Sequence, residues 1–257
     1  MEFFIISFTA LLASLLTFFS GFGLGTLLTP VFILFFSAEV AIVLTGIVHF
    51  LNNIFKFGLT YRNIDKNILL RFGLASVPSA LLGAWLLFYA VKLPDMFSYS
   101  INKKEFTVVP VKLIIASLIL IFALMESVPS FKNMKANKNR LIAGGLISGF
   151  FGGLSGHQGA LRTVFLAKED LNKESFIATG ICIACFVDLT RLPVYFINIS
   201  RTNFSENIPI LSCAVVSAFA GAYFGNRLLK KTTLGAVQKI VTAALVLLAL
   251  ALGSGIV

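Results

Sequence analysis

A chain of 257 residues that is 58 % hydrophobic and 12 % charged, with a mean hydropathy of +0.94, has more apolar surface than a soluble domain can cover. It reads as an integral membrane protein. The formal charge of +10 sits in short connectors between apolar runs, where the positive-inside rule accounts for it, and this argues against nucleic acid as a partner.

The chain opens on an apolar run over 3–36, well beyond the roughly 20 residues needed to cross the hydrocarbon core once. No basic segment precedes it, and it outlasts the apolar core of a signal peptide, so it does not read as a cleaved leader. Ser20-Gly21-Phe22-Gly23-Leu24-Gly25-Thr26 interrupts it. Length is consistent with either one long kinked span or two half-helices that enter and leave on the same side. Residues 39–60 form the next span, with Thr45, His49, Asn52, Asn53 and Lys56. His49 and Asn53 are four apart and share a helix face. Spans over 72–91 and 107–127 follow, separated by a polar connector, and the chain then crosses its most polar stretch, Pro129–Arg140.

The second half starts with 141–167, whose centre is Gly152-Gly153-Leu154-Ser155-Gly156-His157-Gln158-Gly159-Ala160-Leu161-Arg162. Each glycine disfavours helix by about 1 kcal/mol relative to alanine, so the helix is predicted to break here. Spans over 175–199, 205–226 and 234–252 complete the chain. The first of these carries Thr179, Asp188, Arg191 and Pro193.

The halves resemble each other. Val77–Trp85 lines up with Val215–Tyr223, Thr45-Gly46-Ile47 with Thr179-Gly180-Ile181, and Leu28–Phe32 with Leu161–Phe165, in the same order and at nearly constant offset. The predicted organisation is a first transmembrane repeat over 1–128, a polar linker over 129–140 and a second repeat over 141–257. Connector charges test the topology. If every apolar run crosses once, Lys and Arg divide eight against eight between the two sides. If 141–167 is a re-entrant hairpin, the division becomes twelve against four, and the hairpin is preferred. The fold class expected is therefore an all-α polytopic membrane protein of two inverted repeats, each a broken or re-entrant helix hairpin plus three transmembrane helices. Inverted repeats with interrupted helices meeting at mid-membrane mark secondary transporters.

Gly21-Phe22-Gly23-Leu24-Gly25-Thr26-Leu27-Leu28-Thr29-Pro30 resembles the Gly-rich first motif of the sulfite exporter TauE/SafE family, a group of bacterial and archaeal permeases placed with the toluene-sulfonate uptake permeases. The resemblance extends over the whole chain: its length, the paired Gly-rich breaks, the polar central joint and Arg191-Leu192-Pro193. It implies export or uptake of small sulfur-containing oxyanions such as sulfite, or of organosulfonates, across the cell (inner) membrane. The chain departs from the family pattern where His157-Gln158 replace the small residues usual in the second motif, which leaves the particular anion open.

Physical reasoning reaches the same class independently. Half-helix N-termini present free N–H donors and partial positive charge, which suit an oxyanion. The substrate-binding set expected is Gly21, Gly23, Gly25 and Thr26 from one tip, Ser155, Gly156, His157, Gln158, Gly159 and Arg162 from the other, and His49 and Asn53 from the neighbouring span. Alternatively, the glycines serve only close helix packing. Asp188 and Arg191, three apart, form either a structural ion pair or a functional one. In the second reading Asp188 exchanges protons, and Arg191 meets the anion or a lipid headgroup.

No enzyme activity is expected, since neither a hydrolytic dyad nor a metal set can be assembled from these residues. Cys182 and Cys185 lack the further ligands of a closed zinc site, so no metal and no other cofactor is expected. A glycine loop for nucleotide phosphates is missing too. An anion channel is the competing function, because selectivity filters also use glycine-rich backbone. The partners expected are the anion, the lipid bilayer and a coupling proton or cation, with a homodimer as the assembly to test.

Overall fold

In lipid every backbone N–H and C=O must be satisfied within the chain, and long apolar segments meet that demand as helices. The computed structural model describes residues 1–20, 24–101, 103–127, 138–167, 169–199, 204–228 and 235–256. Gly21, Gly23 and most of the 129–140 joint lie outside the described residues.

The first half runs α1 (Glu2–Ser20), α2 (Leu24–Ile33) and α3 (Ala38–Thr60), the last ending in a 3-10 turn over Tyr61–Asn63. Asp65 then caps α4 (Lys66–Ile68), its carboxylate accepting from the Ile68 N–H at 2.9 Å. A π-helical turn over Leu69–Gly73 leads into α5 (Leu74–Val91), and α6 (Pro110–Ser127) closes the half. The second half repeats the order: α7 (Lys138–Ser155), the short α8 (Gln158–Leu166), α9 (Lys173–Ile199), α10 (Ile208–Leu228) and α11 (Gly235–Gly253). Among the described residues, four helical stretches are long and apolar enough to cross a membrane: Ala38–Asn63, Lys66–Val91, Lys173–Asn198 and Ile208–Arg227. The protein is a helical, multi-pass membrane protein.

One element was not foreseen. The connector after α5 forms an antiparallel hairpin of β1 (Phe97–Ile101) and β2 (Lys104–Val108), with Lys103 at positive φ in its turn. Tyr99 OH donates to the Ser254 carbonyl at 2.5 Å, tying the hairpin to the end of α11. Its alternation of Phe97, Tyr99 and Ile101 with Ser98 and Ser100 is strand-like, a signal easily overlooked in a stretch read only as polar.

Of the two apolar runs that carry glycine-rich segments, the one over 141–167 folds back on itself. There, Ser148 Oγ donates to the Gln158 carbonyl (3.1 Å), and a Cβ on Gly144 would lie 2.5 Å from the Phe165 ring. Residues near the start of α7 therefore face residues near the end of α8, and the chain reverses at Gly156–His157. Gly152 and Gly153 remain inside α7, so the break is narrower than the glycine content suggests. In the first, α2 packs against both α1 and α3, although only three residues separate α1 from α2.

The pairings of one half recur with the halves exchanged. Helix α1 packs on α10 and α5 on α7; α2 meets α3 and α11, as α8 meets α9 and α6; α3 lies against α9, and α6 against α11. Two of these seams bring backbones into contact. A Cβ on Gly145, Gly149 or Gly153 of α7 would overlap the carbonyl of Phe72, Ser76 or Ala80, and one on Gly221 of α10 would overlap that of Leu11. Small residues are what let membrane helices approach so closely. The exterior is apolar, with Trp85, Leu189, Ile197, Val216 and Leu247 exposed, while His49, Asn53, Lys56, Asp188 and Arg191 are buried. That distribution suits lipid outside and a polar centre within.

Candidate functional site

The turn between α7 and α8 needs glycine at one position. Gly156 has φ +80, and a Cβ there would stand 2.7 Å from Arg191 Nη1, so both backbone and space exclude a side chain. His157 follows as the residue before α8 and gives no side-chain cap, which leaves the first N–H groups of α8 without one. The start of α2 meets this turn directly: a Cβ on Gly25 would lie 3.4 Å from the Gly156 carbonyl oxygen and 3.7 Å from Thr45 Cγ2. Two helix N-termini, one from each half, thus converge at the centre of the molecule.

Around that junction several buried polar atoms have no hydrogen-bond partner among the described residues: Thr45 Oγ1, both imidazole nitrogens of His157, both amide atoms of Gln158 and Arg191 Nη2, with Arg162 Nη1 likewise unpartnered one turn into α8. The Ser155 backbone approaches the His157 ring but does not reach hydrogen-bond geometry. Buried polar groups are nearly always paired, so a concentration of unsatisfied ones at a single junction calls for a missing partner. Most are donors or, like imidazole, can donate.

A charged centre lies beside the junction. Asp188 Oδ2 is 2.6 Å from His49 Nδ1 and accepts from Asn53 Nδ2 at 3.1 Å, while Oδ1 accepts from Arg191 Nε at 2.9 Å. Arg191 Nη2 lies 2.8 Å from the same Oδ1, close enough for an ion pair but without hydrogen-bond alignment. Arg191 Nη1 reaches across to donate to the Gly152 carbonyl at 3.2 Å, and Tyr195 OH donates to the Gly153 carbonyl at 2.5 Å. Tyr195 therefore supplies a donor to a carbonyl at the end of α7, while Arg191 adds a second donor to the Gly152 carbonyl, which also accepts from the Gly156 N–H at 2.9 Å. Arg191 is 1 % exposed, so the alternative in which it meets a lipid headgroup at the interface falls.

The residues expected to act together divide as follows. Gly25, Thr26, Gly156, His157, Gln158 and Gly159 are at the junction and buried, and His49, Asn53, Asp188 and Arg191 form one bonded group. Ser155 is at the tip, but its hydroxyl turns back to the Phe151 carbonyl at 3.1 Å. Arg162 lies one turn into α8, against α9, its Nε 3.2 Å from a Cβ placed on Gly180. Gly21 and Gly23 lie outside the described residues.

Sequence reasoning left three relevant residues off the site: Thr45, Tyr195 and Lys56. Tyr195 was legible, since Asp188, Arg191 and Tyr195 fall on one helix face at spacings of three and four. Lys56 Nζ donates to Thr17 Oγ1 (3.2 Å) and to the Ser14 carbonyl (3.4 Å). With the Asn52 amide turned to satisfy both neighbours, its oxygen accepts from Lys56 at 3.2 Å and its nitrogen donates to the Ala218 carbonyl at 3.1 Å.

The family model described as Sulfite exporter TauE/SafE matches residues 6–252 of the chain. No curated protein and no solved structure matches it.

Proposed function

The chain belongs to the sulfite exporter TauE/SafE family of membrane permeases, and from that premise we propose that it is a secondary transporter of a small sulfur-containing oxyanion such as sulfite. The anion sits between the starts of α2 and α8. Backbone N–H groups of the two tips, the His157 ring, the Gln158 amide and the guanidinium groups of Arg162 and Arg191 supply its donors, with Gly21 and Gly23 completing the first tip. One observation carries this reading: the unpartnered buried atoms collect where Gly25 meets Gly156. An oxyanion offers acceptors on every side, as such a cluster of donors requires.

Transport is coupled to an ion gradient through Asp188, whose carboxylate holds His49 and Arg191 together. The halves 1–128 and 141–257 form inverted repeats, a reading supported by the recurring element order, by the exchange of helix pairings and by the twelve-to-four distribution of connector charge. The membrane is the cell (inner) membrane.

Counterflow in proteoliposomes tests the proposal. Unlabelled sulfite trapped inside is expected to accelerate entry of radiolabelled sulfite, and Gly156→Leu is expected to abolish that entry. Flux that neither saturates nor shows counterflow would make the protein a channel, and undiminished sulfite binding by Gly156→Leu would remove the anion from the junction.

A further inference from the structure

Gln158 opens α8 and is fully buried, 0 % exposed. Its backbone is held by the bond from Ser148 Oγ to its carbonyl (3.1 Å), and its side chain lies back against the end of α7. A Cβ on Gly152 would stand 2.9 Å from Gln158 Cβ, 3.3 Å from Gln158 Cδ and 2.9 Å from Val187 Cγ1 of α9. The amide thus sits in the space that this glycine leaves open between α7 and α9. Arg191 Nη1 crosses the same gap to the Gly152 carbonyl (3.2 Å), which also accepts from the Gly156 N–H at 2.9 Å. Arg162 follows Gln158 by one helical turn, on the same face of α8.

The hydrogen-bonding capacity gathered here is mixed. Among the described residues neither amide atom of Gln158 has a partner, and whichever way the amide is turned, one of the two donates and the other only accepts. The unpartnered Arg162 Nη1 and Arg191 Nη2 only donate, whereas Thr45 Oγ1 and the His157 ring can take either role. The amide oxygen of Gln158 is therefore the atom that decides. A fully deprotonated oxyanion would satisfy every donor yet leave that oxygen buried and unpaired beside negative charge, which is costly. We propose that Gln158 is a specificity-determining residue, selecting an anion that carries an O–H beside its acceptor oxygens. Its Nε2 donates to an oxygen of the anion, and its Oε1 accepts from the O–H. The ligand class is accordingly an oxyanion with one oxygen protonated, or a sulfonate that bears a hydroxyl. This assignment rests on the anion site at the junction and adds what the anion must bring to it.

Two pairs of probes that differ by one O–H provide the test, titrated calorimetrically into the purified full chain at a single, mildly alkaline pH. Isethionate and propanesulfonate match in size and charge; hydrogenphosphate and sulfate are both tetrahedral dianions. In at least one pair the member with the O–H is expected to bind about tenfold tighter or more, the scale of one hydrogen bond supplied to a buried acceptor. Gln158→Met keeps the side-chain length and replaces unsatisfied polar atoms by apolar ones, so it is expected to fold and to bind both members of each pair alike; Gln158→Leu serves should it not. A preference in the sulfonate pair alone makes the ligand a hydroxysulfonate, and one in the inorganic pair alone makes it a small protonated oxyanion. Equal affinity within both pairs overturns the role of Gln158, as does a preference that persists without the amide. Wild type that binds radiolabelled sulfite but none of the four probes overturns it too and leaves the anion site standing, while wild type that binds neither sulfite nor any probe removes the anion site itself.

Discussion

Gly25 and Gly156 belong to different halves of the chain, yet a Cβ on the first would stand 3.4 Å from the carbonyl oxygen of the second. That distance is ordinary van der Waals contact, so the junction has room for one methyl group and no more. Gly25→Ala is expected to fold and to bind sulfite within a few-fold of wild type, whereas Gly25→Leu must push its extra carbons into the Gly156 backbone or into Thr45. Overpacking of this kind costs about 1–3 kcal/mol, and here it falls on the space assigned to the anion. Equilibrium binding by the two purified variants tests the contact; equal affinity in both would separate the tips.

Away from the junction the same residue type does different work. A Cβ on Gly149 would overlap the Ser76 carbonyl and lie 2.4 Å from Ser79 Oγ, whereas one on Gly58 meets nothing within 4 Å. Gly149→Ala should therefore destabilise the α5–α7 seam, by about 1–3 kcal/mol or more because the obstacle is rigid backbone. Gly58→Ala should be neutral or stabilising by up to about 1 kcal/mol, since alanine favours helix over glycine. Thermal unfolding in detergent distinguishes the two sites.

The helical, membrane-bound class, the break within 141–167 and most residues of the polar centre are legible in the sequence, because each depends on composition or spacing along the chain. His49 and Asn53 fall on one face through helical periodicity, and the charge count over connectors already required a reversal within 141–167. The structure adds what depends on approach between elements. That Gly153 serves the seam with Ala80 while Gly156 serves the turn follows from which helix lies alongside, and no local pattern separates them. The bond from His49 to Asp188 spans the two halves, so periodicity could place each residue on a face but not the faces together. The β1–β2 hairpin was missed for the opposite reason: its alternation is local, but polarity drew attention to the connector as a loop.

Asp188 is the group through which His49, Asn53 and Arg191 are joined. Asp188→Asn keeps the shape but removes the charge, leaving a buried guanidinium without its counter-ion, a loss of about 3–5 kcal/mol when one partner of a buried pair is removed. The variant should consequently unfold at lower temperature than wild type, and sulfite should stabilise it more strongly by supplying a replacement anion beside Arg191. In proteoliposomes its sulfite flux should no longer respond to an imposed pH gradient. Flux that keeps the wild-type response would show that protons enter the cycle elsewhere.

His157 offers the sharpest separation of binding from folding. Its ring lies 6.3 Å from that of Phe122 at an interplanar angle of 25°, and neither nitrogen has a hydrogen-bond partner among the described residues. An aromatic ring is thus accommodated by packing, while its polar atoms gain no hydrogen bond from the described residues and carry a desolvation cost. Replacing unsatisfied buried polar atoms by apolar ones of similar shape is close to neutral or stabilising. His157→Phe is accordingly expected to melt at or above the wild-type temperature. If the imidazole donates to the anion, the same variant loses a charge-assisted hydrogen bond worth roughly 1.5–3 kcal/mol, or about 10- to 150-fold in affinity. Sulfite titration of wild type and His157→Phe, each alongside a melting curve, decides the matter: full affinity in a stable variant would leave the ring as packing against α6 and shift the burden of binding to Gln158, Arg162 and Arg191.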